Sequence, residues 1–409
     1  MRRLAAIPAV LSRCLVAWLA ANATRAGEPR EVRGRVVDEG GRPVAGATVA
    51  YYWRANGPLT RDDGRSFDLK VESDVREFWG RLGRMEPSTP RAATAGPDGG
   101  FAVAVPTNHH ALMAMDAGRL RGGLVVIPKG QESEPLEIRV GPLVKLRGSY
   151  RGPAAGEVPT WSHTYLSLPE DPTRPLDSTR LVSCGSYDAR LEMSMPPGRY
   201  VLYGYNDEDT AHTAPEIRVK LAAGSGDVDL GVLALSPNLD LTRTRIAAAK
   251  AEGRWVDVAD RYGKPAPRWH ITDAQGLPAD ARIEDFKGKW LLLYFWGFHC
   301  APCLRSDLPS LATFYERHAS ERDRFEVVAL CVDDDGRLTS MADVDRKLKP
   351  IVEHVWGGKA LPFPVALDAS FESMENFGRS TLGPQLIDPQ GRLVQGDEKT
   401  LEEKLKAKD

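Results

Sequence analysis

Two kinds of apolar pattern divide this chain. Up to about residue 236 the apolar positions fall in short alternating runs. Phe101-Ala-Val-Ala-Val105 alternates large with small, while Leu136-Glu-Ile-Arg-Val140 and Ile217-Arg-Val-Lys-Leu221 alternate apolar with charged. A period of two sends one set of side chains to a buried face and the other to solvent, so these runs read as half-buried strands. Gly- and Pro-rich clusters punctuate them: Asp38-Glu-Gly-Gly-Arg-Pro43 between Glu31–Val37 and Ala47–Trp53, Pro97-Asp-Gly-Gly100 before Phe101, and Pro196-Pro-Gly198 before Tyr200–Tyr205. Such clusters supply turn conformations. The second pattern begins at Trp290. Trp290-Leu-Leu-Leu-Tyr-Phe-Trp296 and Phe325-Glu-Val-Val-Ala-Leu-Cys-Val332 are nearly continuous apolar runs, as strands covered on both faces require, and helical stretches separate them.

Helical periodicity marks three further segments. Val71, Val75, Phe78, Trp79, Leu82 and Met85 form one apolar stripe inside the first strand-rich region, read as an inserted helix packed on the sheet or, alternatively, as a partner's docking face. Residues 238–261, with Ile246 and Ala249, read as a polar helical connector, and Lys399–Lys408 presents Leu401 and Leu405 on one face. The predicted organisation is a strand-rich domain over 27–140, a second over 141–236, a connector over 237–262 and an α/β domain over 263–409. Trp161, Tyr203 and Tyr205 in the second domain are read as core and rim, with a ligand face as the alternative.

Composition narrows the classes. The chain has 409 residues, 42% of them apolar, and a net charge of −2, which argues against nucleic acid as a partner. No internal apolar run is long enough to span a membrane. Residues 1–26 read as an export signal: Met1-Arg2-Arg3 is basic, Cys14–Ala21 is apolar, and Ala23 and Ala26 end candidate cleavage sites, with an uncleaved anchor as the alternative. Beyond it remain Cys184, Cys300, Cys303 and Cys331, too few for a disulfide scaffold. Cys331 reads as a small core hydrophobe, and Cys184 has no neighbour that suggests chemistry. The histidines show no metal-ligand spacing, and Asp333-Asp-Asp-Gly336 lacks the alternation of a calcium loop.

The chemistry concentrates at Cys300-Ala-Pro-Cys303, which follows the Trp290–Trp296 run and opens a helix. Thiols at this spacing can close and open one small disulfide ring. A helix N-terminus offers unsatisfied N–H groups and positive partial charge, which favour thiolate over thiol. At a pKa of about 8.5 only a few per cent of a thiol is ionised at pH 7, whereas at about 7 roughly half is. The competing reading, half of a zinc site, needs a second ligand pair that the sequence does not show.

The residues around the CxxC carry a resemblance. Gly263-Lys-Pro-Ala-Pro-Arg-Trp-His-Ile-Thr-Asp-Ala-Gln-Gly276, Phe286-Lys-Gly-Lys-Trp290, Phe295-Trp-Gly297, Cys300–Cys303 and Leu386-Ile-Asp-Pro-Gln-Gly-Arg392 together resemble the thioredoxin domains of the TlpA/ResA type, with residues 263–276 as the entry hairpin. The resemblance implies a thioredoxin-like fold, extracytoplasmic thiol–disulfide exchange and no cofactor, because the electrons reside on sulfur. It has departures. His299 stands where the family usually has Trp, and Tyr294 where cytoplasmic thioredoxin has a buried Asp. Asp307, before Leu308-Pro309, lies one residue later than the family's acidic residue. The cis-proline motif is altered, leaving Pro384 as its best candidate. No PxxxTxxC pattern is present, which counts against a peroxiredoxin. Upstream, Val32-Arg-Gly-Arg-Val36, Arg42-Pro-Val-Ala-Gly-Ala-Thr-Val49 and Asp98-Gly-Gly-Phe101 resemble the carboxypeptidase-regulatory-like β-sandwich, a module that usually has no catalytic residues.

These readings predict a multidomain exported protein, periplasmic or in the cell envelope, with N-terminal all-β sandwich domains followed by an α/β thioredoxin-like domain. Cys300 is the expected nucleophile and Cys303 the resolving thiol. Pro384, if cis, would lie beside Cys300 and present backbone to substrate. His299, Pro302 and Trp296 are expected to tune the pair, and Asp307 and Tyr294 are the candidates for proton transfer, with structural roles as the alternative. The expected partners are protein thiols and disulfides and an upstream electron donor or acceptor. Two other readings stay open: a cell-envelope binding or scaffold protein with a vestigial thioredoxin domain, and a copper-delivery protein using Cys300, Cys303 and His299.

Overall fold

A computed structural model of the chain describes residues 29–58, 92–131, 133–152, 162–186, 189–205, 212–213, 216–237, 241–278, 280–332 and 337–407. The export signal, the stripe from Val71 to Met85, Trp161 and the Asp333–Gly336 turn lie outside the described residues, as do the side chains of Cys184 and Tyr205. The chain divides into two compact units: residues 1–170 with 177–237, and residues 171–176 with 238–409.

The first unit is sheet-rich. A three-stranded sheet runs in the order Gly100–Val105, Arg30–Val37, Leu136–Arg139. A five-stranded sheet runs Ala92–Thr94, Thr48–Ala50, Ala111–Met115, Arg121–Val126, Gly141–Pro142. Val32, Val36, Val49, Phe101, Val103, Leu112 and Ile138 share one core, and the alternation along Phe101–Val105 is that core's inward face. The next stretch builds a second core, from Leu146, Leu166, Leu191, Met193, Tyr200 and Leu202. Trp53, Met113 and Met115 also belong to it. Strand Trp53–Pro58 pairs in parallel with Arg180–Ser186, with Trp53 opposite Val182. The expected boundary at 140/141 is therefore crossed by strand pairing and by core contacts. Pairing between residues so far apart in the chain leaves no trace in local periodicity.

In the second unit, helix α1 (Leu241–Ala251) precedes a six-stranded sheet. Its strands are β1 (Asp273–Gln275), β2 (Trp290–Trp296), β3 (Phe325–Val332), β4 (Val365–Asp368), β5 (Gly383–Ile387) and β6 (Leu393–Val394), in the order β1-β4-β3-β2-β5-β6. β2, β3 and β4 are parallel, and β1, β5 and β6 run antiparallel to their neighbours. The expected entry hairpin is not one: Pro265 bridges to Arg392, while β1 pairs with β4.

β2 is buried on both faces. Leu292, Tyr294 and Trp296 face a core shared with α2 (Leu308–Arg317), α3 (Met341–His354) and α5 (Glu398–Lys406). Leu291, Leu293 and Phe295 face a second core with Trp269 and α4 (Glu372–Phe377). The apolar faces of the helices close these layers: Leu308, Leu311 and Phe314 of α2, Val344, Leu348 and Ile351 of α3, and Leu401 and Leu405 of α5. Side-chain caps start two of them. Ser340 accepts from the Asp343 N–H at α3, and Asp397 accepts from the Lys399 and Thr400 N–H groups at α5.

The segment read as a connector clusters with this second unit. Val258 and Tyr262 pack on the α4-side core. The Val258 N–H donates to Gly378 O at 3.1 Å and the Gly263 N–H to Leu393 O at 2.8 Å. Glu375 of α4 receives both Arg245 and Arg254. Gly378 makes the close approach possible: it ends α4 at φ 65°, and a Cβ there would overlap the Val256 carbonyl.

A boundary at 263 would cut this packing. Fragment 241–409 should therefore fold more stably than fragment 263–409, by about 2 kcal/mol, the contribution of one or two buried apolar side chains. Urea denaturation of the two fragments measures the difference, and coincident midpoints would show that residues 241–262 contribute nothing.

Candidate active site

The C-terminal end of β2 delivers the chain to the redox turn. After Trp296 the backbone folds tightly, and the Cys300 N–H donates to Gly297 O at 3.0 Å. Gly297 is needed for close approach: a Cβ there would stand 2.9 Å from the His299 ring and 3.0 Å from Val332 O. His299 is exposed, with its ring folded back over Gly297.

Cys300 and Cys303 form a disulfide, with their Cα atoms 5.3 Å apart. The two sulfurs are not equivalent. Cys300 is half-buried and accepts the Cys303 N–H at 3.2 Å on its Sγ. Cys303 is 2% exposed and sits in the core with Leu304 and Leu308. Pro302 has helical dihedrals, φ −60° and ψ −42°, so its fixed ring starts the helix at a position where no donor is needed.

The helix opens on an α-type bond, from the Leu304 N–H to Cys300 O at 3.2 Å, and then changes register. Cys303–Asp307 forms a π-turn, and the Leu308 N–H donates to Cys303 O, five residues back. A π-turn accommodates one residue more than an α-turn. Asp307, one residue later than the resembled motif places its acid, lies at the end of this turn. There its Oδ2 accepts the Tyr294 hydroxyl at 2.7 Å, and its Oδ1 accepts the Ser306 hydroxyl at 2.7 Å. The two residues named as proton-transfer candidates are thus hydrogen-bonded to each other. Tyr294 is 5% exposed and shares the Cys303 core.

Trp296 is fully buried, packs edge-on against Phe298 at 5.4 Å and leaves its indole N–H without a hydrogen-bond partner. Phe298 in turn lies 4.9 Å from the Lys347 ammonium.

Pro384 lies in β5 opposite Tyr294, and Gly383 lies opposite Phe295. Among the described residues no peptide bond is cis, so the conditional expectation of a cis Pro384 is corrected: the Gly383–Pro384 bond is trans. The chain makes its turn into β5 at Gly383 instead, with φ 130°, a backbone region open to glycine. Arg379 holds this entry. Its guanidinium donates to Thr381 O at 2.9 Å, Leu382 O at 3.2 Å and Pro384 O at 3.1 Å. Burial pushes the Arg379 guanidinium down from its usual value.

Arg379 and Trp356 are the site residues that sequence reasoning missed. Trp356 follows α3, and its indole N–H donates to Leu304 O at 2.7 Å, one residue past Cys303. Neither residue belongs to a spaced motif, so no local signal points to them. Cys331 is a buried thiol outside any disulfide. Among the described residues no group of three or more His, Cys, Asp or Glu side chains is placed to hold a metal ion.

Comparison with known proteins bears on this unit. Residues 262–395 match the family model described as the AhpC/TSA family. Thiol-disulfide oxidoreductase ResA of Bacillus thuringiensis subsp. konkukian is 32% identical over 134 residues, which is 32% of this chain and 67% of the relative. ResA of Bacillus subtilis is 29% identical over 133 residues, 32% of this chain and 64% of the relative. Among solved structures, the thioredoxin domain of a thiol-disulfide oxidoreductase from Bacteroides vulgatus matches 35% of this chain and 97% of its own, with 22% identity and a TM-score of 0.27. The exposed lipoprotein thioredoxin Etrx1 of Streptococcus pneumoniae matches 34% of this chain and 98% of its own, with 25% identity and a TM-score of 0.26. On the identity and coverage of its ResA relatives, the chain belongs through its C-terminal unit to the ResA-type thiol–disulfide oxidoreductases.

Proposed function

We propose that the protein is an extracytoplasmic thiol–disulfide oxidoreductase that exchanges the Cys300–Cys303 pair with disulfides of protein substrates. The observation that carries the reading is the asymmetry of the pair: one sulfur half-exposed and hydrogen-bonded by a helix-start N–H, the other buried. In the reducing direction the Cys300 thiolate attacks a substrate disulfide. A Cys300–substrate bond forms and one substrate sulfur leaves as thiolate. Cys303, deprotonated, then attacks Cys300 Sγ, closing the ring and releasing the second substrate thiolate. The substrate gains two electrons and the pair loses two; the reverse sequence inserts a disulfide. An upstream dithiol protein re-reduces the pair.

Asp307 is the proposed acceptor of the Cys303 proton, and Tyr294 holds it by donating to Oδ2. The edge at Thr381–Pro384, clamped by Arg379, is the proposed backbone that pairs with the substrate chain. Register supports this: Gly383 lies opposite Phe295, two residues before the Gly297 turn. The first unit is read as a carboxypeptidase-regulatory-like sandwich followed by a second β module, both without catalytic groups. Residues 1–26 are read as the export signal, and that reading supports an extracytoplasmic location.

Three outcomes test this reading. Cys303→Ser should accumulate mixed disulfides with substrate proteins on non-reducing gels, and Cys300→Ser should not. Trapping through Cys303 instead would reverse the assignment.

His299 is proposed to raise the reduction potential when its imidazole is protonated, by favouring the Cys300 thiolate. A shift of one pKa unit corresponds to about 30 mV for a two-electron couple. The effect is present below the imidazole pKa and fades as pH rises through it. His299→Trp should therefore raise the Cys300 thiol pKa of the reduced protein, and lower the potential by up to about 30 mV per unit of that rise wherever Cys300 is thiolate. An unchanged Cys300 pKa in the variant would remove His299 from the mechanism.

Arg379→Met removes the guanidinium from Thr381 O, Leu382 O and Pro384 O, of which Pro384 O keeps the Gln385 side-chain amide as a donor. It should cost about 2 kcal/mol of stability and raise the KM for a peptide disulfide more than it lowers kcat. Arg379→Lys, a point charge in place of a planar fork, should recover only part of both. An unchanged KM in Arg379→Met would separate the clamp from substrate pairing.

A further inference from the structure

The carbonyl of Leu304 lacks the backbone donor that either an α-turn or a π-turn would offer it. In an α-turn it would accept from Leu308, but the Leu308 N–H is bonded to Cys303 O. In a continued π-turn it would accept from residue 309, which is Pro309 and has no N–H. Leu304 is fully buried, so water does not replace the missing bond. The Trp356 indole N–H makes it, at 2.7 Å.

We propose that Trp356 is a positioning residue for the redox turn: by bonding Leu304 O it selects the π register at Cys303–Asp307 and thereby holds Asp307 against Tyr294. The two registers compete for one donor, the Leu308 N–H. With Trp356 in place, Leu304 O is satisfied from outside and Leu308 serves Cys303 O. Without that bond, the buried carbonyl recaptures Leu308 and the turn rewinds to an α-turn. A one-residue change of register is about 100° around a helix axis. That rotation carries the Asp307 carboxyl off the Tyr294 hydroxyl. The Trp356 N–H bonds to Leu304 O and not to a sulfur, so it acts through Asp307. The kinetic consequence rests on the proposed role of Asp307 as acceptor of the Cys303 proton.

The test uses the full chain and a single-turnover measurement of mixed-disulfide resolution, with a thiol-reactive chromophore loaded on Cys300 as the probe, across pH 5 to 9. Asp307→Asn should slow resolution about a hundredfold at pH 7, the low end of the usual span for a lost general base, and abolish the acid limb of the profile. Trp356→Phe should do the same, and the double variant should be no slower than Asp307→Asn alone. The isostere 3-benzothienylalanine at position 356, which removes only the N–H, guards against a packing defect in Trp356→Phe. In the crystal structure of either 356 variant, the Leu308 N–H should be bonded to Leu304 O.

A 356 variant with the wild-type pH profile, while Asp307→Asn is slow, overturns the positioning role and leaves the Asp307 reading intact. If Asp307→Asn resolves at the wild-type rate, the Asp307 reading fails. The register claim then stands or falls on the structure of the variant: a retained Leu308–Cys303 bond overturns it.

Discussion

Burial of β2 on both faces is the constraint on which the rest of the C-terminal unit depends. Leu292, Tyr294 and Trp296 are locked into one core, and Leu291, Leu293 and Phe295 into the other. A strand held this way cannot slip by one residue without exchanging its two sets of side chains. Its end at Trp296 is therefore a fixed point, from which the short Gly297–His299 loop hangs the redox turn. The same strand fixes two other parts of the site. It carries Tyr294 to the Asp307 carboxyl, and it pairs with β5 so that the Gly383 entry lies at the same end of the sheet. The disulfide, the Asp307–Tyr294 bond and the Gly383 entry are all referred to one seven-residue strand.

The thiol asymmetry follows from that geometry. The helix starts at the surface and runs inward, so its first cysteine keeps partial access and its second sinks into the layer beneath. A buried sulfur is poorly placed to attack a protein substrate but well placed to attack its neighbour. The helix-start N–H from Cys303 to Cys300 Sγ adds a donor to the sulfur that carries the negative charge before attack. These local effects need no group from the first unit.

What the sequence made legible was whatever is encoded within one turn or one strand. The double-sided runs at Trp290–Trp296 and Phe325–Val332, the CxxC at a helix start and the terminal helix with Leu401 and Leu405 all lie close to their expected places. Asp307 and Tyr294 were named separately, as alternatives, and the structure joins them by one hydrogen bond. What was illegible depends on distant pairing. Strand Trp53–Pro58 joins a sheet built from residues beyond 160, which erases the expected boundary at 140/141. The connector docks on α4 through backbone bonds to Gly378 and Leu393. Trp356 reaches Leu304 across 52 positions. Arg379 is the opposite case: it is local, yet its bonds are to carbonyls, which every residue has, so its own letter carries no signal.

The departures from the family pattern compensate one another physically. An acidic residue displaced by one position would face the wrong way on a regular α-helix, because one residue is more than a quarter of a turn. Here Pro309 removes a backbone donor, the turn widens to a π-turn, and the displaced Asp307 meets Tyr294. Tyr294 itself stands where a carboxylate would otherwise be buried, so a long neutral hydroxyl reaches out to an acid on the helix. Burying a phenol that has a partner is far less costly than burying a carboxylate without one. At β5 the same logic recurs. A trans Pro384 cannot make the backbone turn a cis bond makes, and Gly383 at positive φ, tied by Arg379, makes it instead. A motif scan scores each position alone and counts two losses, whereas the chain keeps the acid at its partner and the edge at its strand by changing the backbone between them.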